Sequence, residues 1–289
     1  AIHAGAVKAE LDLQEKGLPV QITWKGPLRE DDREFQIQVV ESFAATGYSG
    51  IVLAPLDDTA LVAPVELASR SGTPVVIIDS GLNTDQYVSF VATDNHLGGQ
   101  MAGDHMAHLL GGKGEVMLLR YQEGSASTTK REEGFLEAIA KHEGITVVSQ
   151  DQYGGATIDA AYQKSENLLS RPELANLKGI FCPNETVTVA LTKALREVGK
   201  ASGQVKVIGF DTSRQSLLDL ENGDVQGLIV QNPFAMGYVG VTTLVAHLQG
   251  AEIAKRVDTG VTLVTAEVMN KPEIKELINP PSVADLKNK

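Results

Sequence analysis

The stretch GIVLAPLDDTALVAPVELASRSGTPVVIIDS, Gly50–Ser80, decides the fold. Its first apolar, β-branched run, Gly50 to Ala54, reads as a strand. Asp57 or Asp58 then opens a helix predicted over Thr59–Ser71, which Gly72 and Pro74 stop. A second run, Pro74 to Asp79, reads as another strand. Both runs are nearly continuous rather than alternating, as strands covered by helices on both faces are. The unit is therefore a βαβ crossover with parallel strands.

Working outward, the same alternation continues. Upstream, Val20–Lys25 (VQITWK) reads as a strand. Asp31 or Asp32 N-caps a helix on which Ile37, Val40 and Ala44 share a face and which ends near Gly47. Downstream, strands are expected at Val88–Thr93, Glu115–Arg120, Thr146–Ser149, Lys178–Cys182, Val205–Phe210, Gly227–Gln231 and Val261–Thr265. Helices are expected at His96–Leu110, Lys130–His142, Ile158–Leu169, Glu185–Val198 and Met236–Leu248. Ten such strands are too many for one sheet of this kind. The predicted fold is α/β, with two doubly wound parallel-sheet lobes joined by a three-segment hinge. One lobe takes residues 1–93 plus 233–262, the other 94–232 plus 263–289. The chain opens on a helical segment, Ile2–Lys16, where such a lobe normally opens on a strand. Either the first sheet is one strand short or that strand lies upstream. The tail from Pro272 is polar and reads as a surface strap that frays.

Composition narrows the function. The 289 residues are 43% hydrophobic, ordinary for a globular core. Lys plus Arg is 25 against 37 Asp plus Glu, a net charge of −12. That lacks the electrostatic footprint of a general nucleic-acid or anionic-membrane binder. The single cysteine, Cys182, excludes an intramolecular disulfide and a cysteine-based zinc site. No signal peptide is visible at Ala1. Gly124–Thr129 (GSASTT) lacks P-loop spacing, Gly98, Gly99 and Gly103 do not make a dinucleotide fingerprint, and no GxSxG occurs. His105 and His108 lie three apart, but no carboxylate completes a metal set. No cofactor or metal is expected.

In open α/β sheets ligands bind beyond the C-terminal ends of the strands. The polar residues there are Asp79 and Ser80 after PVVII, Thr93, Asp94 and Asn95 after VSFVA, Asn184 after GIFCP, Asp211 after VKVIGF, and Gln231 and Asn232 after GLIV. Arg131 opens a helix after the GSASTT loop. Carboxylates accept hydroxyl protons, a guanidinium donates a fixed fork and an amide does both, so the set suits a neutral polyhydroxylated ligand. Each Asp or Asn also reads as a simple helix or turn cap. Trp24 is a candidate for stacking on a sugar ring or for rim packing.

The ordered series PVVIIDS, ATDNHLGGQMAGDH, REEGF, FCPNE, VIGFD and LIVQNPFAMGY resembles bacterial periplasmic sugar-binding proteins of the ribose-binding type. These are the solute receptors of ABC importers and share a fold with effector domains of lac-repressor-like regulators. The resemblance runs from Ala4 to about Thr265. It implies a type I periplasmic binding protein-like fold with Asp79 accepting sugar hydroxyl protons and Thr93 as a small hydroxyl residue at the first crossover. It also implies Arg131 as the second-lobe arginine, Asn184 as an amide ligand, Asp211 as the aspartate of the GFD motif and Gln231 at the hinge. The chain departs from the pattern at Ser80, where ribose binders carry a second arginine, at Ala54, where they carry an asparagine, and near Ala156, where they carry an aromatic for which Tyr153 is the substitute. The expected ligand set is Asp79, Ser80, Thr93, Arg131, Asn184, Asp211 and Gln231. The expected protein is a non-enzymatic, monomeric, periplasmic or extracytoplasmic receptor that takes a sugar or polyol and meets a membrane permease. The alternatives are a regulator's effector domain lacking its DNA-binding part, and an enzyme of the same fold.

Overall fold

The chain builds two sheets and passes between them more than once, and the computed structural model describes residues 1–288. In chain order the elements are α1 (Ile2–Glu15), α2 (Arg33–Ala45), β1 (Ile51–Leu53), α3 (Val62–Arg70), β2 (Val75–Ile78) and β3 (Ser89–Ala92). Then come α4 (Asn95–Leu109), β4 (Lys113–Arg120), α5 (Ala126–Ile139), β5 (Gly144–Tyr153), α6 (Ile158–Leu169), β6 (Leu177–Phe181), α7 (Glu185–Glu197), β7 (Lys206–Phe210), α8 (Arg214–Glu221) and β8 (Gly227–Gln231). The chain finishes with α9 (Pro233–Leu248), β9 (Arg256–Asp258), β10 (Val261–Val264), α10 (Pro272–Ile278) and α11 (Val283–Lys287).

The first sheet has the order β1-β2-β3-β9, all parallel. The second has the order β10-β8-β7-β6-β4-β5, parallel except for the antiparallel edge strand β10. Its strand order reverses between β4 and β6, which opens a crevice beyond their C-terminal ends. The core strands Val75–Ile78 and Gly227–Gln231 are buried along their whole length. This is why their sequences carry no polar alternation.

The chain passes between sheets three times, at Ala92–Asn95, Gln231–Pro233 and Asp258–Val261. Val261 and Thr262, assigned to the first lobe from sequence, thus stand on the second sheet. The first and third passages run side by side. The Thr93 hydroxyl donates to the Gly260 carbonyl at 2.9 Å, Thr259 N–H donates to Ala92 O at 3.2 Å, and Arg256 Nη2 donates to Thr93 O at 3.0 Å.

Glycines let helices mesh beside each sheet. A Cβ on Gly99 of α4 would stand 1.9 Å from the Arg131 carbonyl oxygen, and one on Gly134 of α5 would stand 2.1 Å from the His96 oxygen. Gly99 and Gly103 therefore serve helix contact, which draws α5 and its Arg131 against α4, while Gly98 makes room for Phe210 and Ile229 of the sheet.

Several expectations need correction. Val20–Lys25 is extended but belongs to no ladder. Val20 and Ile22 pack beside Leu13 and Val241, and Glu10 accepts from Ile22 N–H at 2.8 Å, yet no strand among the described residues pairs with it. The loop expected at Gly124–Thr129 is mostly the first turn of α5, so Arg131 stands in its second turn. β9 and α8 were not anticipated. The tail does not belong wholly to the second lobe. Ile278 of α10 joins the second-lobe core, whereas Leu286 of α11 packs on Ala4 and Val7 of α1.

Candidate functional site

The polar residues at the strand ends meet where the two sheets face each other. In the first lobe Asp79 follows β2. In the second lobe Asp211 follows β7. Both residues have left-handed backbones, with φ 65° and 67°. Non-glycine residues adopt this region rarely, and it persists where the surroundings over-determine it, characteristically at ligand sites.

Arg131 is the fixed centre of the second-lobe half. It is only 3% exposed. Its Nε donates to Asn95 Oδ1 at 2.8 Å and its Nη1 to the Pro183 carbonyl at 2.8 Å and to Asp211 Oδ2 at 3.4 Å. Its guanidinium lies 3.8 Å from the Phe210 ring centroid. These contacts hold the fork from one side and leave its Nη2 hydrogens for another acceptor. Gln231 donates from Nε2 to Asp211 Oδ1 at 2.6 Å, while its Oε1 is buried without a hydrogen-bond partner. Asn184 N-caps α7, accepting from Val187 N–H at 3.1 Å. Its sequence position also reads as a cap, and its amide hydrogens have no acceptor among the described residues.

Burial between the lobes pushes the Asp79 carboxyl up to about 6. Arg131 opposes the rise, while Asp211 and Glu30 reinforce it. Glu132, beside Arg131 and paired with Arg120 at 2.7 Å, is pushed up to about 7, again mainly by burial. Glu185 is raised by burial and by Asp211 and Glu30, against a hydrogen bond from Ser213.

The lobes are shut on one another. Ser127 N–H donates to Ser80 Oγ at 3.1 Å, Asp58 N–H to Gly124 O at 2.8 Å, and Arg33 Nη2 to Glu123 O at 2.8 Å. The Tyr121 hydroxyl donates to Glu30 across the same gap. At Gly124, with φ 84°, a Cβ would stand 2.3 Å from Asp57 Oδ2, so only glycine lets the lobes approach this closely.

Five of the seven expected residues, Asp79, Arg131, Asn184, Asp211 and Gln231, thus stand around one interlobe gap. Ser80 sits on the seam and carries a lobe-to-lobe hydrogen bond. Thr93 has its hydroxyl on Gly260 and works in the hinge. Trp24 stacks on His3 with centroids 4.3 Å apart, outside the polar cluster. Tyr153 lies 5.8 Å under the Arg120 guanidinium. Sequence reasoning missed Tyr121, Glu185 and Glu30. The first two directly follow a strand end or the FCPN stretch and so carried the same signal as their neighbours. Glu30 lies in a loop with no such signal. Among the described residues no cluster of His, Cys, Asp and Glu is suited to hold a metal ion. Nor is any helix long and apolar enough to cross a membrane.

Comparison with known proteins bears on this arrangement. The profile of a family described as "Periplasmic binding protein domain" matches residues 4–252. A D-ribose/D-allose-binding protein of Pseudomonas aeruginosa is 30% identical over 247 residues, covering 82% of this chain and 76% of the relative. A carbohydrate transporter solute-binding protein of Agrobacterium radiobacter, solved with D-arabinose, superposes with a TM-score of 0.89 at 33% identity. That match covers 96% of this chain and 93% of the other. An ABC transporter solute-binding protein of Agrobacterium vitis, solved with D-fucose, superposes with a TM-score of 0.88 at 31% identity, covering 96% of each chain.

Proposed function

The chain belongs to the periplasmic binding protein domain family, and on that premise we propose that it is the solute receptor of an ABC importer for a small sugar or polyol. The observation that carries this reading is the convergence of Asp79 from one lobe with Arg131, Asp211 and Gln231 from the other. Hydrogen-bonding atoms are left over on both sides of the gap.

Binding follows from that layout. A ligand docks first on one lobe. Its hydroxyls donate to Asp79 and the free Gln231 oxygen, and they accept from Arg131 Nη2 and the Asn184 amide. Closure is favoured because only the shut form lets one ligand touch both lobes. A ligand lacking one hydroxyl leaves a buried partner unsatisfied, at about 1–3 kcal/mol, and this sets specificity. The closed surface is what a membrane permease would recognise, on the periplasmic side. The receptor performs no chemistry and works as a monomer.

The sugars bound by the two solved relatives, a pentose and a 6-deoxyhexose, define the size range to test first. A thermal-shift screen over pentoses, hexoses and polyols is the direct test. A true ligand at 100-fold above its dissociation constant adds about 2.7 kcal/mol of stability. A screen in which no carbohydrate shifts the transition would remove the reading.

A further inference from the structure

We propose that the cleft is a charge filter. It accepts neutral or amine-bearing sugars and refuses those carrying a carboxylate or phosphate, with Glu30 and Glu185 as the residues that set the filter. The inference rests on the sugar-receptor reading and adds a substrate class to it.

The charges around the gap are unequal. Asp79 feels the charges of Asp211 and Glu30, and Glu185 feels the same two, although Asp79 and Glu185 come from opposite lobes. Against four carboxylates stands one guanidinium, Arg131, and it is already engaged by Asp211. The neighbouring cations bring no relief. Arg33 is paired with Asp57 at 3.0 Å and Arg120 with Glu132 at 2.7 Å. Beside the donor hydrogens left on Arg131 Nη2 and the Asn184 amide, unpartnered acceptors also face the gap. Gln231 is 6% exposed, its amide nitrogen holds Asp211, and its Oε1 is buried and unpartnered. The Asp79 carboxylate likewise has no donor among the described residues. The gap therefore needs donor hydrogens from its guest. A hydroxyl supplies one and an ammonium supplies three, while a carboxylate supplies none.

One feature acts the other way. The N-terminus of α5 opens on the gap at Ser127, and that of α7 at Asn184, and helix N-termini attract anions. Glu185 occupies the first turn of α7, held by the Ser213 hydroxyl, and places a negative charge where an anionic guest would otherwise dock. Glu30 does the same from the facing lobe, held by Tyr121.

The test uses the full chain and calorimetric titration with D-arabinose, D-galactose, D-galactosamine and D-galacturonate at low salt. The expected result is that at least one neutral probe binds and that D-galacturonate binds at least 50-fold more weakly than D-galactose. D-galactosamine should bind no more weakly than fivefold below D-galactose. In the Glu30→Gln, Glu185→Gln double variant, the galactose-to-galacturonate ratio should fall at least fivefold. Raising the salt from 0.02 to 0.3 M should narrow the ratio in the native chain, because the mouth-facing Glu30 is screened. Galacturonate binding as well as galactose overturns the filter while leaving the sugar-receptor reading in place. An unchanged ratio in the double variant overturns the assignment to Glu30 and Glu185. Failure of every probe overturns the receptor reading and the filter with it.

Discussion

Asp79 and Asp211 are counterparts in the two lobes. Each is the first residue beyond a parallel strand, each has a left-handed backbone, and each donates its N–H to the next strand of its sheet. Asp79 donates to Val91 O at 3.0 Å and Asp211 to Ile229 O at 2.8 Å. The same local device on both sheets turns a carboxylate out of the strand line and into the shared gap. Two lobes built alike thus present like-charged acceptors to one guest from opposite sides.

Asp211 is the more heavily connected of the two. It accepts from Arg131 and from Gln231, so its removal frees the fork and the amide together. The Asp211→Ala variant is expected to lose the sugar-induced thermal shift while remaining folded. Alanine at φ 67° adds a backbone cost of about 1–2 kcal/mol. Asp211→Asn tolerates that backbone better and separates the two effects: stability near native, affinity still reduced at least tenfold. A native affinity in both variants would take Asp211 out of the site.

Asp79 governs the pH dependence. Its carboxyl lies near 6 in the folded chain against 3.8 ordinarily, so between those values the folded state holds more protons than the unfolded one. Its contribution to stability is therefore present below pH 4 and is lost as pH rises towards 6. Binding runs oppositely, because hydroxyl donors favour the ionised carboxylate. Affinity is expected to climb up to tenfold per pH unit below 6 and to level off above it. Titration calorimetry from pH 4.5 to 7.5 reads this directly, with Asp79→Asn as the flat control. A flat profile in the native chain would show that Asp79 is not an acceptor for the ligand.

Gly99 tests how the site is held. Its missing Cβ would fall 1.9 Å from the Arg131 carbonyl, a backbone atom that moves only if α4 and α5 separate. Gly99→Ala is expected to cost about 1–3 kcal/mol, the range for overpacking, and to weaken sugar binding by displacing Arg131. Chemical denaturation and calorimetry on one sample measure both. Lost stability with intact affinity would mean that α5 is positioned by its sheet rather than by α4.

Much of this was legible beforehand because buried parallel strands write themselves as continuous apolar runs. PVVII, GIFC, VKVIGF and GLIV all lie in ladders, and the polar residues just past them stand at the gap. Where a run depends on a neighbour, the sequence misleads. VQITWK alternates like an edge strand, yet among the described residues it lies beside helix α1 and pairs with no strand. Arg256–Asp258 is short and mostly exposed, and it pairs with β3 without any apolar signature. Thr93 shows the limit at single residues: a buried hydroxyl at a crossover serves a ligand or a hinge equally well, and only the Gly260 contact at 2.9 Å distinguishes them.

The tail supplies the last prediction. α10 is anchored in the second lobe by Ile278, and after Pro280 and Pro281 the chain reaches the first lobe. There Leu286 and Val283 cover Ala4, Val7 and Phe234. It therefore links the lobes outside the three passages, and it is seated here in a shut molecule. A link of this kind limits how far the lobes can part, so loosening it should widen the ligand-free ensemble more than the bound one. Leu286→Ala is expected to cost about 2 kcal/mol, at the low end for a leucine truncated at a rim. The ligand-free radius of gyration in small-angle scattering should rise, whereas the sugar-saturated value should stay native. Affinity should fall severalfold, because a wider open state must give up more freedom to close. An unchanged radius despite lost stability would mean that α11 travels with the first lobe and restrains nothing.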